Sequence, residues 1–172
     1  MSGKIFLVVG NSGTGKDSLI SELCAHPNVC TVKRYITRPS HVSEDFVSVS
    51  EDEFQELVGK SAFFLDWKSY GLNYGVPMRA VHLAEQGFTV LINVSRQVIG
   101  KVDANIIEIR APEEIVKKRI VNRQRESDDE IAERLLRSVE MKGFSGADFV
   151  VDNSKNLSYA VEQLKKIIFS KN

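Results

Sequence analysis

The sequence lacks any excess of charge: 23 Lys and Arg face 23 Asp and Glu. A whole-molecule field that would gather nucleic acid or an anionic membrane is therefore missing, and any anion site has to be local. Cysteine is scarce. Cys24 and Cys30 are the only two, with neither metal-ligand spacing nor secretory context, so buried reduced thiols are expected rather than a disulfide framework. The three histidines, His26, His41 and His82, are scattered and form no metal or triad pattern. No apolar run approaches a membrane span, and the opening "MSGKIFLVVG" is too short and too quickly broken by glycine to read as a signal peptide. Repeats, low-complexity tracts and long linkers are absent as well. The expectation is one soluble cytoplasmic domain, which 172 residues suit, with no nucleic-acid or membrane partner.

What is present is an α/β rhythm. The runs "KIFLVV", "TVLINV", "NIIEI" and "FVV" are apolar without alternation, as strands covered on both faces are, and "TVKRYI" is a more polar candidate edge strand. Helices separate them. One opens near residue 16 and runs to about Ala25. A second has Pro112 near its first turn, followed by Glu113 and Glu114. A third, from about Asp128 to Met141, aligns Ile131, Leu135 and Val139, and the last aligns Val161, Leu164 and Ile168. Between Arg38 and Pro77 the rhythm gives way to short extended pieces around a small helix, for which Ser50 and Glu53 predict a capping box. A second interruption, "RIVNRQRESDDEI", is a strongly charged joint between helices.

The most specific signal is "LVVGNSGTGKDSLI", residues 7–20, a phosphate-binding loop between a predicted strand and a predicted helix. In that context Gly10, Gly13 and Gly15 let backbone N–H groups turn toward phosphate oxygens, at a helix end that already favours anions. Lys16 then reaches the β- and γ-phosphates, and Ser18 can bond the α-phosphate from the first helical turn. Asp17 stands where a Ser or Thr is usual. Two readings are open: an acid that only stabilises the helix start, or a magnesium ligand, since a carboxylate beside triphosphate is repulsive unless a cation lies between them. The second gains weight from "VLINVSR", whose strand end carries Asn93 and Ser95 where many such enzymes place a magnesium-binding acid.

Arginines form the other constellation. Arg119 and Arg123 share a helix face, Arg125 follows, and Arg134 and Arg137 lie beyond; Arg38 stands alone in "YITRP". They are either solvated charge or a lid closing over transferring phosphate. No convincing nucleophile or histidine base accompanies them. An acceptor that is itself a phosphate needs none, being already ionised, although Asp45 or Asp66 could serve a hydroxyl acceptor.

The segments "FLVVGNSGTGKDSLI", "RYITRP", "SEDEF", "LDWKSYGLNYGV", "VLINVSR" and "VNRQRESDDEIAERL" together resemble the guanylate-kinase-like family over nearly the whole chain. Within it, "GKDS", "RYITRP", "NVSR" and "NR-x-RE" look like the ribose 1,5-bisphosphate phosphokinase branch. The resemblance implies a three-layer α/β sandwich with a parallel core sheet in order 2-3-1-4-5, residues 1–37 and 78–172 forming the core, an acceptor-binding insertion at 38–77 and a lid at about 123–127. It implies ATP and Mg2+, a sugar-phosphate acceptor and 5-phosphoribosyl 1-diphosphate as product. Lys16, Arg119, Arg123 and Arg134 would carry catalysis. Nucleotide contacts would come from Gly10, Asn11, Ser12, Gly13, Thr14, Gly15, Lys16, Asp17, Ser18 and Asn153, and acceptor contacts from Arg34, Arg38, Asp66, Tyr74, Asn93, Ser95 and Arg96.

Departures from guanylate kinases support that branch. Guanine is read there by a serine, a glutamate, a hydroxyl and acids at positions that here hold Arg34, Asp66, Val76, and Asn93 with Ser95. Only Asp66 keeps that character. A second arginine after Arg38 is absent, and Phe46 replaces a phosphate-binding Tyr, while Arg38 and Tyr74 still match. The alternatives are a guanylate or other nucleoside monophosphate kinase, and a non-catalytic module, against which Lys16 and the arginine set argue. A GTPase is disfavoured by the lack of an N-K-x-D motif.

Overall fold

A computed structural model describes residues 3–39, 45–121 and 146–170. The chain begins with β1 (Ile5–Val9), whose residues alternate between two cores because successive side chains leave opposite faces of a strand. Phe6 and Val8 pack with Leu19, Ile20 and Leu23 of α1 (Lys16–Leu23) and with Ala160, Val161, Leu164 and Ile168 of the last helix. Leu7 and Val9 pack on the other side with Val90, Ile92, Ala80 and Ala84. This double burial is why the strand reads as an unbroken apolar run.

The sheet is parallel. Along the chain follow β2 (Val29–Cys30), β3 (Arg34–Ile36), β4 (Phe46–Ser48), α2 (Glu51–Gly59), β5 (Phe63–Ser69) and β6 (Leu72–Pro77). Then come α3 (Arg79–Glu85), β7 (Thr89–Asn93), a 3-10 turn at Arg96–Val98, β8 (Asn105–Arg110), α4 (Glu113–Val121), β9 (Phe149–Asp152) and the last helix, α5 (Leu157–Ile168). The core sheet runs β2-β7-β1-β8-β9, which in chain order of its own strands is the expected 2-3-1-4-5. Its neighbours all pair in parallel. Helices α1 and α5 cover one face, and α3 with part of a second sheet covers the other.

That second sheet, β4-β3-β6-β5, is mixed: β3 pairs β4 in parallel and β6 antiparallel, and β5 and β6 form a hairpin. It corrects one expectation. The segment "TVKRYI" does not form a core edge strand; the edge is only Val29–Cys30, and Arg34–Ile36 belongs to the second sheet, four residues before the expected boundary at residue 38. The physical reason is polarity. Arg34 and Tyr35 remain half-buried, a state that a sheet with one open face tolerates and a strand covered on both faces does not. The expected helix from Asp128 to Met141 and the lid at 123–127 lie outside the described residues.

Helix starts follow their local chemistry. Ile115 and Val116 N–H donate to the Pro112 carbonyl as α4 begins. At α2 the capping box is formed: Glu53 N–H donates to Ser50 Oγ at 3.2 Å, and Ser50 N–H donates to Glu53 Oε2 at 2.7 Å. Two N–H groups that the helix cannot satisfy internally are thereby paired. The Glu53 carboxyl is held below its ordinary range by those bonds to Ser50. Ser50→Ala should cost about 1 kcal/mol, read as a Tm lowered by roughly 2–4 °C in thermal unfolding; an unchanged Tm would mean that the cap contributes nothing.

Candidate active site

Because β1 is the central strand, the loop after it emerges at the carboxyl edge of the sheet between the ends of β7 and β8, where open α/β sheets collect ligands. Its backbone needs glycine in two places, each with a positive φ and a close neighbour. Gly10 has φ 150°, and a side chain there would lie 2.5 Å from the Ile109 carbonyl oxygen. Gly15, at the start of α1, has φ 93°, and a Cβ would meet Asn153 Nδ2 at 2.5 Å. Close approach of neighbouring strands, as well as turn geometry, selects these glycines.

The loop is pinned from behind. Buried Asn153 donates from Nδ2 to the Thr14 carbonyl at 2.7 Å, and Arg119 donates from Nη2 to the Asn153 carbonyl at 3.0 Å and from Nη1 to Thr14 O at 3.4 Å. Thr14, itself buried, donates from Oγ1 to Asn11 O at 2.9 Å. Lys16 Nζ lies back on the loop, donating to Gly10 O at 2.8 Å and Asn11 O at 2.9 Å. The end of β7 holds both extremities of the loop. Asn93 donates from Nδ2 to Asp17 Oδ1 at 2.6 Å, and Arg96 donates from Nη1 to Asn11 Oδ1 at 2.6 Å.

Facing the loop is a cleft of about 290 Å³. Gly10, Asn11, Ser12, Gly13, Gly15, Lys16 and Asp17 form its loop side, Asn93, Ser95 and Arg96 its floor, and Arg34 and Tyr74 come from the second sheet. Ser95 also caps the 3-10 turn, its Oγ accepting from Gln97 N–H. Thr14, Ser18, Arg38, Asp66, Arg119 and Asn153 are not among the cleft's residues. Ser18 is exposed in the first turn of α1, and Thr14, Arg119 and Asn153 support the loop from behind. Arg38 packs its guanidinium over Phe46, 5.0 Å from the ring centroid. Asp66 is exposed, turned away from the buried Leu65 and Trp67 that flank it. Arg123 and Arg134 lie outside the described residues.

Sequence reasoning did not single out Trp67, Ser69 and Tyr70, which also line the cleft. Trp67 stacks on Tyr74, centroids 5.1 Å apart and planes within 5°, because the two are cross-strand partners in the hairpin. Tyr70, at φ 50°, and Gly71, at φ 76°, make its two-residue turn. Left-handed backbone at both positions matches the twist of the strands, and Tyr70 is left 58% exposed at the cleft. Strict strand alternation in "FLDWKS" could have placed Trp67 and Ser69 on one face.

A magnesium ion fits this arrangement in one respect. Asp17 lines the cleft beside Lys16 and, among the described residues, only one of its oxygens is engaged, by a neutral amide. Among the described residues no group of three or more His, Cys, Asp or Glu side chains could cage a metal. The described residues thus offer one carboxylate at the cleft, Asp17, as sites do that leave the remaining positions of magnesium to phosphate oxygens and water.

Comparison with known proteins gives the same fold. The family model described as guanylate kinase matches residues 2–171. The chain belongs to the guanylate kinase family. It is a kinase with a P-loop nucleotide-binding fold. A ribose 1,5-bisphosphate phosphokinase PhnN from Ruegeria sp. (strain TM1040) is 39% identical, over 96% of this chain and 92% of the relative. The Bradyrhizobium diazoefficiens protein of the same description is 34% identical over 96% of this chain and 88% of its own length. Among solved structures, guanylate kinase from Anaplasma phagocytophilum superposes with a TM-score of 0.68, covering 97% of this chain and 85% of its own, at 19% identity. That structure speaks to the fold alone.

Gly15→Ala tests the packing behind the loop. A Cβ at a positive φ and 2.5 Å from Asn153 Nδ2 should cost roughly 1–3 kcal/mol. It should also displace Asn153 from Thr14. The measurable outcome is a Tm several degrees lower together with weakened nucleotide binding; wild-type values for both would show that the loop does not depend on this contact.

Proposed function

We propose that the chain transfers the γ-phosphoryl group of ATP to a phosphate of ribose 1,5-bisphosphate, forming 5-phospho-α-D-ribose 1-diphosphate and ADP. An acceptor phosphate oxygen forms the new bond to Pγ while the bond from Pγ to the β,γ-bridging oxygen breaks and its electrons leave with ADP. No proton has to be removed from the nucleophile. The name carried by relatives at 39% and 34% identity supports the acceptor. So does the make-up of the cleft.

The observation that carries the reading is the fate of the guanine-reading positions. Guanine presents N–H donors and needs acceptors opposite them, and a site whose buried partners are missing cannot favour that base. Here Arg34, a donor, lines the cleft; Val76 is fully buried in the core; Asp66 faces away; and the Asn93 amide is engaged by Asp17. A cationic, donor-rich wall suits phosphate. The second sheet forms the acceptor side, with Arg34 and Tyr74 toward the acceptor's phosphates and Arg38 reaching them only by leaving the Phe46 ring, and the loop forms the donor side.

In this reading Lys16 leaves the Gly10 and Asn11 carbonyls for the β- and γ-phosphates, Arg119 leaves the Thr14 and Asn153 carbonyls behind the loop to join Arg123 and Arg134, and the three arginines neutralise charge as the phosphoryl group moves. Asp17, its carboxylate oriented by Asn93, would hold magnesium from the protein side, and the ion would supply screening of the triphosphate.

Two measurements test these assignments. With ATP and magnesium, ribose 1,5-bisphosphate should give a kcat/KM far above those of GMP, AMP and ribose 5-phosphate; equal or better use of GMP would overturn the acceptor. For the metal, the amide of Asp17→Asn keeps the shape but not the charge. The variant should need more magnesium for half-maximal rate, and should bind Mn2+ in the presence of ADP more weakly by electron paramagnetic resonance. Superimposable curves for wild type and variant in both titrations would leave Asp17 as a helix-start residue only.

A further inference from the structure

Glu108 sits in the middle of β8 between Ile107 and Ile109, in a strand whose four central residues are all buried, and is itself 3% exposed. A carboxylate there is costly unless it is paired and hydrogen-bonded, and apolar residues usually replace such ion pairs without loss of stability. Stability alone therefore gives no reason for it. Both of its oxygens are occupied: Oε1 accepts from Arg96 Nη2 at 2.7 Å, and Oε2 accepts from Arg110 Nε at 2.7 Å and is ion-paired with Arg110 Nη2 at 2.7 Å.

The pairing does not stop in the core. The second branch of the Arg96 fork, Nη1, donates to Asn11 Oδ1 at 2.6 Å, and the carbonyl of Asn11 accepts from Lys16 Nζ and Thr14 Oγ1. A continuous line of bonds thus runs from Arg110 through Glu108 and Arg96 to the phosphate loop. The Arg96 side chain is only 11% exposed, although the residue contributes to the cleft floor. Planar guanidinium geometry makes the line directional, because one branch can reach Asn11 correctly only while the other is held.

We propose that Glu108 is a positioning residue for the nucleotide. It holds Arg96 so that Arg96 anchors Asn11, setting the start of the loop in the conformation that receives the donor's phosphates, and it keeps a guanidinium beside the loop from swinging onto the bound anion. The proposal rests on the chain using a nucleotide donor but not on the identity of the acceptor.

The test is a double-mutant cycle on ADP binding by calorimetry, with no acceptor present. Glu108→Gln, which keeps the size and removes the charge, should weaken ADP at least tenfold. In an Asn11→Ala background, where the line is already cut, the same change should cost less than twofold. A role confined to the core would lower Tm but weaken ADP by equal factors in both backgrounds, or not at all, and either result overturns the proposal. If Glu108→Gln fails to fold, Arg96→Lys runs the same cycle: it keeps the charge near Glu108 and loses the fork, so it should match Asn11→Ala in ADP affinity and be non-additive with it. Additivity there overturns the proposal equally. Because ADP binds without acceptor, an incorrect acceptor assignment leaves this experiment intact and shows itself only in the acceptor panel.

Discussion

The hydrogen bond from Asn153 Nδ2 to the Thr14 carbonyl joins the segment following the last core strand to the loop after the first. It can form only because parallel strands in the order β2-β7-β1-β8-β9 deliver their carboxyl ends to one edge. The glycines that bring the loop close to phosphate also remove side chains that would have held it in place. The loop is therefore held by its surroundings: Asn153 and Arg119 behind, Asn93 and Arg96 at its two ends. An anion site whose N–H groups must already point correctly requires that kind of external constraint.

How much of this was legible depended on range. The phosphate loop, the Ser50–Glu53 cap, the start of α4 after Pro112 and the apolar register of α5 are local patterns, each set by residues within a few positions of one another. Strand order came from the family resemblance and agrees with the structure. The links that hold the loop could not be read, because they join residues 76 and 85 positions apart. Asn93 and Arg96 were expected as acceptor contacts, and in the structure both bond to the loop. Glu108 was visible as a charge inside "NIIEI", but its partners belong to other elements. The polar "TVKRYI" was divided between two sheets by pairing that no periodicity announces.

The exchange between residues 17 and 93 shows how such a site can move a charge without rebuilding its frame. A hydroxyl after the loop lysine and an acid at the strand end is the common arrangement. Here the acid follows the lysine, a neutral amide stands at the strand end, and the two touch. The carboxylate lines the cleft beside Lys16, and the strand end beside it carries no negative charge. In the proposed reaction that neutrality spares an anionic acceptor a like charge at the strand end.

The stacked pair of Trp67 and Tyr74 has a practical consequence. Trp67 is the only tryptophan in the chain, it lines the cleft, and its indole nitrogen is buried without a hydrogen-bond partner among the described residues. Its emission therefore reports one place alone. Any ligand that enters between the two sheets changes the polarity around the one indole, so the protein carries its own optical gauge of occupancy and needs no attached label.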